Sequence, residues 1–190
     1  MGNVFPDGVI SYDMHQGERR GTDLDLFDFT YDGILSSGYL SGGLGQLMDG
    51  DEGQSNFRLD PKNIGIRGYE WVGWKSDTFG ENPVEITFKF DCVRNFSVLH
   101  IFGNNLFSKD VRIFRAAKVF FAMDSLQFMV PPIEHVYARD SVIEYARRVD
   151  IPLNKRIGRF VKVWLFFDSK WMLVSEVHFE SGKLCFMPYF

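Results

Sequence analysis

The sequence predicts an all-β domain of the antiparallel sandwich type, and three observations support this class. The chain has 190 residues, which is a usual size for one sandwich or barrel domain. Aromatic residues make up 16% of it, including 20 Phe, and large flat side chains suit the half-buried surface of a strand. Short apolar runs separated by turn signals recur along the chain, as they do in sandwiches and barrels.

The first half of the chain contains one strong strand signal and several weaker ones. Val9–Tyr12 is a short strand candidate, and residues 69–74 are a second one. Residues 34–53 contain six glycines and predict a loop with little room for regular structure. After Pro83, apolar residues at 84, 86, 88 and 90 alternate with polar ones at 85, 87, 89 and 91. This period of two predicts a strand with one buried and one wet face.

The second half predicts a series of strands between turns. The candidates are Ser97–Phe102, Val111–Phe114, Lys118–Met123, Val136–Tyr137, Val149–Ile151, Phe160–Phe167 and Trp171–Phe179. The last two are separated by a turn at residues 168–170. Apolar residues between Asp140 and Arg148 are also spaced as in a helix, so that segment stays open between helix and irregular structure. No internal repeat and no interdomain linker is visible, which favours a single domain.

Charge and hydropathy exclude two classes of partner. The formal net charge is −4, and the basic residues are scattered in pairs such as Arg19-Arg20 and Lys155-Arg156. Without a basic stripe we expect no nucleic-acid partner. No apolar run approaches the roughly 18–20 residues that span a bilayer, so we expect no membrane contact by this chain. Met1-Gly2 has the form of an expression start, which indicates a piece of a longer protein.

The two cysteines, Cys92 and Cys185, allow two interpretations. Both lie in apolar, strand-like sequence, so they are either two buried thiols or partners in a disulfide. Their spacing fits no metal-binding pattern. Asn95-Phe96-Ser97 is an N-glycosylation sequon, which predicts a glycan at Asn95 if the chain is secreted.

Catalytic chemistry finds no support in the sequence. None of the four histidines, among them His100 and His178, stands in a metal-ligand spacing, and His100 lies in an apolar strand, as core histidines do. No serine lies in a G-x-S-x-G elbow. The glycines at 42–45 match no phosphate-binding loop. We therefore expect no catalytic residues, and hydrolase chemistry is the weakest of the functions considered.

Residues 49–53, Asp-Gly-Asp-Glu-Gly, are the strongest local signal for a bound ion. Calcium takes six to eight oxygen ligands, often from loop carboxylates and backbone carbonyls. The segment is not an EF-hand, because its glycine spacing is wrong, the twelfth loop position is Asp60 rather than Glu, and helical flanks are missing. The local sequence leaves a calcium loop and a solvated acidic turn equally open.

A set of short motifs extends along nearly the whole chain, from residue 7 to residue 180: Asp7–Tyr12, Thr30–Gly33, Gly43–Leu47, Asp49-Gly50, Gly68-Tyr69, Val72–Trp74, Phe88–Asp91, Arg94–Phe96, Gly103–Asn105 and Trp171–Glu176. Together they resemble the discoidin-like domain of discoidin domain receptors, which are collagen-activated receptor tyrosine kinases. The resemblance implies a jelly-roll-like antiparallel β-sandwich with extra strands. Residues 1–8 would be the start and the segment leaving the preceding discoidin domain, and residues 9–190 a single discoidin-like domain.

The resemblance also implies a structural calcium (Ca²⁺) site. Carried over position by position, the ligands would be the side chains of Gln46, Asp49 and Glu176 and the backbone oxygens of Asp51, Tyr69 and Trp71, with Ser175 beside Glu176. These groups are far apart in sequence and would converge only in the folded chain. One ion could then join the glycine-rich loop to the last long strand.

Two departures from the family pattern indicate a divergent, invertebrate-like member. Phe27 stands where vertebrate members carry Asn, which removes any side-chain ligand there and leaves Asp25 or Asp28 as substitutes. Phe121 and Val163 stand where the family has its disulfide. An apolar pair can fill the same space in the core, although a native disulfide is usually worth about 2–5 kcal/mol.

The function that the resemblance implies is that of a non-enzymatic, extracellular receptor module. It would be part of the ectodomain of a single-pass plasma-membrane receptor for cell adhesion, and would support and orient the collagen-binding discoidin domain. Its partners would be that adjacent domain and a second receptor copy in a homo-oligomer. Collagen would bind through the full receptor and not through this fragment alone.

The alternative is a lectin-like, carbohydrate- or ligand-binding jelly roll. Trp71, Trp74 and the loop at Gly38–Tyr39 would then form an exposed aromatic platform. The competing interpretation places both tryptophan side chains in the core.

Overall fold

The alternating residues after Pro83 form the strand that organises the fold. In the computed structural model, which describes residues 7–125 and 127–184, this strand extends over twenty residues, Val84–Gly103. The residues at 84, 86, 88 and 90 are buried, and those at 85, 87 and 89 are half-exposed, so the strand prediction for this segment is confirmed.

Within the described residues the chain forms eleven strands and a few short helical turns. In chain order the strands are β1 (Val9–His15), β2 (Arg19–Arg20), β3 (Leu24–Asp25), β4 (Ile34–Ser36), β5 (Tyr39–Gly43), β6 (Val72–Lys75), β7 (Val84–Gly103), β8 (Ala116–Ala122), β9 (Ile133–Val136), β10 (Arg147–Phe166) and β11 (Trp171–Lys183). The helical turns are Gln46–Met48, Ser76–Phe79 and Phe107–Lys109.

The strands pair antiparallel in the order β4-β5-β1-β7-β10-β8-β9, and β11 pairs with both β7 and β6. β2 and β3 form a separate small ribbon. The first part of β7 lies between β1 and the second part of β10, whereas its second part lies between the first part of β10 and β11. Register shifts in β10 after Pro152 and after Gly158 interrupt the ladder between these parts, as β-bulges do where a sheet bends.

Aromatic rings fill the space between the two parts of this bent sheet. Phe179 of β11 contacts Phe88 and Phe90 of β7, with ring centroids 5.0 and 5.2 Å apart. Phe96 joins the same cluster, and all four rings are buried. The high phenylalanine content therefore serves one large core, and the prediction of an antiparallel β-sandwich is confirmed.

The glycine-rich segment 34–53 contains more regular structure than the sequence predicts. Residues 34–43 form a β-hairpin, and its turn residues Ser37 and Gly38 have φ of 50° and 77°. Two successive positive φ values are typical of the tight turns that match strand twist. The prediction of an irregular loop was wrong here, because the glycines were interpreted as breakers rather than as the residues that such a turn requires.

The other element predictions are mostly right in position and too short in extent. The candidates at 97–102 and 149–151 are parts of the long strands β7 and β10, and the predicted turn at 168–170 separates β10 from β11. Val111–Phe114 was wrong as a strand, since only an isolated bridge from Val111 to Trp171 forms. Residues 140–146 are irregular and not helical.

Asp140 holds this irregular segment in place, which explains why no helix forms. Its carboxylate accepts hydrogen bonds from the backbone N–H groups of Val142 and Ile143, at 2.8 and 3.1 Å, and pairs with Arg147 at 2.6 Å. Such side-chain bonds to nearby backbone compete with helix formation. The Arg147 hydrogen bond and the two backbone bonds lower the pKa of Asp140 to about 2.

We expect Asp140→Asn to destabilise the domain near neutral pH but not in strong acid. A carboxyl whose pKa is lowered by folding stabilises the fold above its ordinary value of 3.8, and this contribution is lost as the pH falls through about 2. Urea unfolding at about pH 6 and pH 2 would measure the difference. Glu81→Gln, at an exposed position, is the control. An equal loss at both pH values would contradict this account of Asp140.

Cys92 is disulfide-bonded, so its interpretation as a free buried thiol was wrong. Cys185 lies outside the described residues. Phe121 and Val163, which stand where the family has its disulfide, are both buried, on the adjacent strands β8 and β10. They belong to the main core, as expected of an apolar pair that fills this space.

No helix in the described part of the chain is long and apolar enough to cross a membrane.

Candidate functional site

The acidic loop at residues 49–53 is docked onto β11. The Gly50 backbone N–H donates to Glu176 Oε2 at 3.0 Å, and the Gly53 N–H donates to Ser175 Oγ at 3.0 Å. Ser175 is fully buried. The structure therefore brings the predicted loop residues and the predicted strand residues together, across more than a hundred positions of sequence.

Glycine is required where the loop crosses Trp71. A Cβ atom at Gly53 would lie 2.2 Å from the Trp71 indole, which is closer than side-chain carbons pack. The indole Nε1 donates to the Gln54 carbonyl oxygen at 3.1 Å, and its ring stacks on Phe102 with centroids 6.0 Å apart. Trp71 thus fixes the base of the acidic loop.

Gln46 and Tyr69 also meet as the resemblance implied. Gln46 begins the short helical turn before Asp49 and is buried. Its Oε1 accepts the Phe29 N–H at 2.6 Å, and its Nε2 donates to the Tyr69 carbonyl oxygen. The amide nitrogen, rather than the oxygen, faces Tyr69, so any bond from Gln46 to an ion would use the second lone pair of Oε1.

The Glu176 carboxylate has no ion-pair partner among the described residues, and other carboxylates lie near it. Burial, together with the negative charges of Asp49, Asp7 and Glu52, raises the pKa of Glu176 to about 9, although the hydrogen bond from the Gly50 N–H lowers it. Burial also raises the pKa of Asp49. Glu176 makes no ion pair within residues 7–125 and 127–184. Such a half-buried negative cluster is stabilised by a bound cation or by protons.

Lys62 partly offsets this charge and was not predicted from the sequence. Its ammonium group lies 2.6 Å from Asp51 Oδ2 and 5.1 Å from the Tyr69 ring centroid. Asp51 therefore uses its side chain for Lys62, which leaves its backbone oxygen as the predicted ligand.

Carboxylates and histidines alone do not form a metal centre here. In the part of the chain that the structure describes, no three His, Cys, Asp or Glu side chains are arranged to hold a metal ion. A site at this loop needs amide and backbone oxygens as well, which are common ligands of Ca²⁺ and uncommon ligands of zinc.

The two residues proposed to substitute for the ligand lost at Phe27 have other partners. Asp28 is buried, and its carboxylate accepts hydrogen bonds from the Tyr12 hydroxyl and from the Gln46 N–H, the latter at 2.9 Å. Asp25 lies 3.4 Å from Arg19 in the small ribbon. Asp28 thus holds Gln46 in position by accepting the hydrogen bond from the Gln46 backbone N–H.

Tyr12→Phe is expected to destabilise the domain by about 1.5–3 kcal/mol, the usual worth of a hydrogen bond to a charged group. Burial raises the pKa of Asp28, and the Tyr12 hydrogen bond opposes this rise. The decrease in the free energy of unfolding will therefore be larger at pH 8 than at pH 4. Chemical denaturation measures it. Tyr39→Phe is the control, because its hydroxyl makes no hydrogen bond within the described chain. Equal effects of the two substitutions would contradict the role of Tyr12.

A cavity of about 370 Å³ adjoins Glu176 and is lined in part by His100 and His178. His100 is buried, but it lies between two core residues of β7 and so faces away from the core. Its Nδ1 lies 2.6 Å from Asp150 and its Nε2 2.9 Å from Glu180. Both ring nitrogens are thus engaged by carboxylates, and the interpretation of His100 as a core histidine was right about its burial and wrong about its side of the sheet.

The aromatic platform expected of a lectin-like domain is absent from the predicted position. Trp71 and Trp74 are both fully buried, because each indole packs in a core and donates to a backbone carbonyl. Asn95 lies within β7, half-buried, with Ile157 and Gly182 opposite it on the two neighbouring strands. Since acceptor asparagines usually lie in surface loops, glycosylation there stays a prediction.

Comparison with known proteins places this chain in one family. Residues 8–181 match the family model of the discoidin domain-containing receptor 1/2 DS-like domain. The chain is 34% identical to discoidin domain-containing receptor tyrosine kinase B of Caenorhabditis elegans over 184 residues, which cover 95% of this chain and 22% of that protein. It is 31% identical to epithelial discoidin domain-containing receptor 1 of Rattus norvegicus, covering 95% of this chain and 20% of that protein.

A solved structure supports the fold. The C-terminal domain of a chitobiase from Bacteroides fragilis superimposes with a TM-score of 0.52 at 9% identity, covering 94% of this chain and 96% of that one. At such low identity the likeness concerns the fold alone, and it agrees with the predicted jelly-roll-like sandwich. The chain spans about a fifth of the length of its curated receptor relatives.

Proposed function

Because the chain belongs to the discoidin-like domain family of discoidin domain receptors, we propose that it is a non-catalytic, extracellular module of a receptor tyrosine kinase. The observation that carries the proposal is the family match over residues 8–181, together with receptor relatives at 31–34% identity. The module would belong to a single-pass plasma-membrane receptor that functions in cell adhesion. Collagen would bind elsewhere in that receptor, and receptor copies would associate as homo-oligomers.

The way the N-terminal segment is attached supports an orienting role. Asp7 is buried, and its carboxylate accepts the Phe179 N–H at 2.9 Å and lies 2.8 Å from His178 Nδ1. The Gly8 carbonyl oxygen accepts the Asp91 N–H at 2.9 Å. The chain therefore enters the domain along a fixed path, and a domain that precedes it would be held in a defined direction.

We further propose that the docked acidic loop holds a structural calcium ion. Gln46, Asp49 and Glu176 would be side-chain ligands, and Asp51, Tyr69 and Trp71 would contribute backbone oxygens, with Ser175 buried beside them. The fit rests on oxygen groups of the loop and of β11 that already meet, and on the unpaired Glu176 carboxyl with its raised pKa. When bound, the ion would supply positive charge and fasten the loop to the strand.

The orienting role is tested in the full-length protein on cells exposed to triple-helical collagen. We expect Asp7→Ala to retain collagen binding but to reduce collagen-dependent tyrosine phosphorylation, because it frees the entry segment. Glu81→Ala, at an exposed position, is the control. The isolated chain is expected not to bind collagen. Full phosphorylation by the Asp7→Ala receptor, or collagen binding by the isolated chain as tight as that of the receptor, would refute the proposal.

A further inference from the structure

The fold gathers basic residues that are scattered in the sequence. Arg20, Arg58, Arg67 and Lys109 line one cavity of about 270 Å³, with Asp23 as the carboxylate among the described lining residues. They come from the β2–β3 ribbon, the segment before β6 and the helical turn after β7. In a chain of net charge −4, this is a local excess of positive charge.

The guanidinium of Arg20 is fixed in this cavity by two aromatic rings. Its Cζ lies 5.3 Å from the Phe57 ring centroid and 5.1 Å from that of Trp171, a geometry in which a cation and ring faces attract. Its Nη2 donates to the Lys109 carbonyl oxygen. Its Nη1 is buried and has no hydrogen-bond partner in the described chain. Buried donors are rarely left unpaired, so this one indicates an acceptor that the protein itself does not provide.

The neighbouring cations are likewise not neutralised. Arg58 and Lys109 are exposed, and neither forms an ion pair within residues 7–125 and 127–184. Arg67 pairs with Asp23 at 3.1 Å, but both side chains are exposed, so that pair is weak and easily exchanged. Burial lowers the pKa of Arg20, the negative charge of Asp110 raises it, and the positive charge of Arg58 lowers it. An anion in the cavity would offset the repulsion between Arg20 and Arg58.

We propose that this cavity binds an anionic substituent, a sulfate or carboxylate group, of an acidic polysaccharide. The cavity is smaller than the roughly 300–1,000 Å³ pockets of drug-sized ligands, which suits one such group on Arg20, while Arg58, Arg67 and Lys109 at the rim contact groups further along the chain. Arginine forks match such planar or tetrahedral anions. A repeating polyanion is favoured over a phosphopeptide because cations from separate segments of the chain line the cavity, so that more than one anionic group can be contacted. The choice of polysaccharide rests on the proposed extracellular location.

The test measures binding of a heparin hexasaccharide to the chain by calorimetry, at low salt and at about 150 mM NaCl, where charges are screened beyond about 8 Å. We expect Arg58→Gln with Lys109→Gln to lower the affinity at least about tenfold, since a hydrogen bond to a charged group is usually worth about 1.5–3 kcal/mol. Lys155→Gln with Arg156→Gln, which removes the same charges at the register shift after Pro152 in β10, is expected to leave the affinity within about twofold. Quenching of Trp171 fluorescence would report occupancy beside Arg20.

Three outcomes would overturn the inference. These are no hexasaccharide binding at low salt, equal loss in both double variants, and tighter binding of a phosphoserine peptide than of the hexasaccharide. Calcium binding is measured on the same variants, because the cavity does not share residues with the acidic loop. A loss of hexasaccharide binding with unchanged calcium binding would then concern the cavity alone and leave the proposed function unaffected.

Discussion

Calcium is expected to raise the thermal unfolding midpoint of the domain by about 5–11 °C relative to chelator. An ion present at a hundred times its dissociation constant adds about 2.7 kcal/mol, and each kcal/mol shifts the midpoint of a domain of this size by about 2–4 °C. Glu176→Gln and Asp49→Asn are expected to remove most of the shift, because each replaces a charged ligand by a neutral one. Scanning calorimetry with calcium and with chelator measures it.

The pH dependence of this shift gives an independent check. With chelator, the raised pKa of Glu176, about 9, means that keeping this carboxyl charged costs stability. That cost grows as the pH rises from 4.5, the ordinary pKa of a glutamate, towards 9, the raised pKa of Glu176. Calcium should therefore stabilise the domain more at pH 8 than at pH 5.5. Asp60→Asn is the control at an acidic residue outside the proposed ligand set. No shift, with no calcium in the purified protein, would rule out the site and leave the fold unaffected.

Local patterns could predict the fold class, and long-range contacts could not be predicted from them. The alternation at residues 84–90 identified the central strand, because a period of two is written in neighbouring residues. The hairpin at 34–43 was missed because glycines occur both in irregular loops and in tight turns. Only the pairing of β4 with β5 shows that these glycines belong to a hairpin. Family resemblance, rather than pattern, anticipated the meeting of the acidic loop with Glu176.

The basic cavity could not be predicted from the order of charged residues along the sequence. Arg20, Arg58 and Lys109 stand almost forty or more positions apart, and each looks like an ordinary surface residue in its own segment. Their significance depends on Phe57 and Trp171, which place one guanidinium between two rings. The absence of a basic stripe led us to expect no nucleic-acid partner, but it gave no information on a pocket built from separate loops.

Trp71→Ala is expected to destabilise the domain by about 3–5 kcal/mol, the usual cost of removing a buried aromatic side chain, or roughly 6–20 °C in midpoint. Trp71 is fully buried in a smaller core cluster, separate from the main core, with Leu26, Phe57 and Leu173. Its loss leaves a cavity directly beneath the acidic loop.

A second substitution, Trp71→Phe, separates the packing role of Trp71 from its role in holding the loop. Trp71→Phe keeps most of the packing but loses the hydrogen bond to Gln54, so we expect a destabilisation of about 1 kcal/mol. We also expect calcium to raise the unfolding midpoint of this variant by less than that of the unsubstituted domain. Trp164→Ala is the control, because Trp164 is half-exposed on β10 and far from the loop in the strand order. If Trp71→Phe lowered stability without reducing the calcium shift, the indole would serve the core alone, and the loop would be positioned by Gly50, Gly53 and β11.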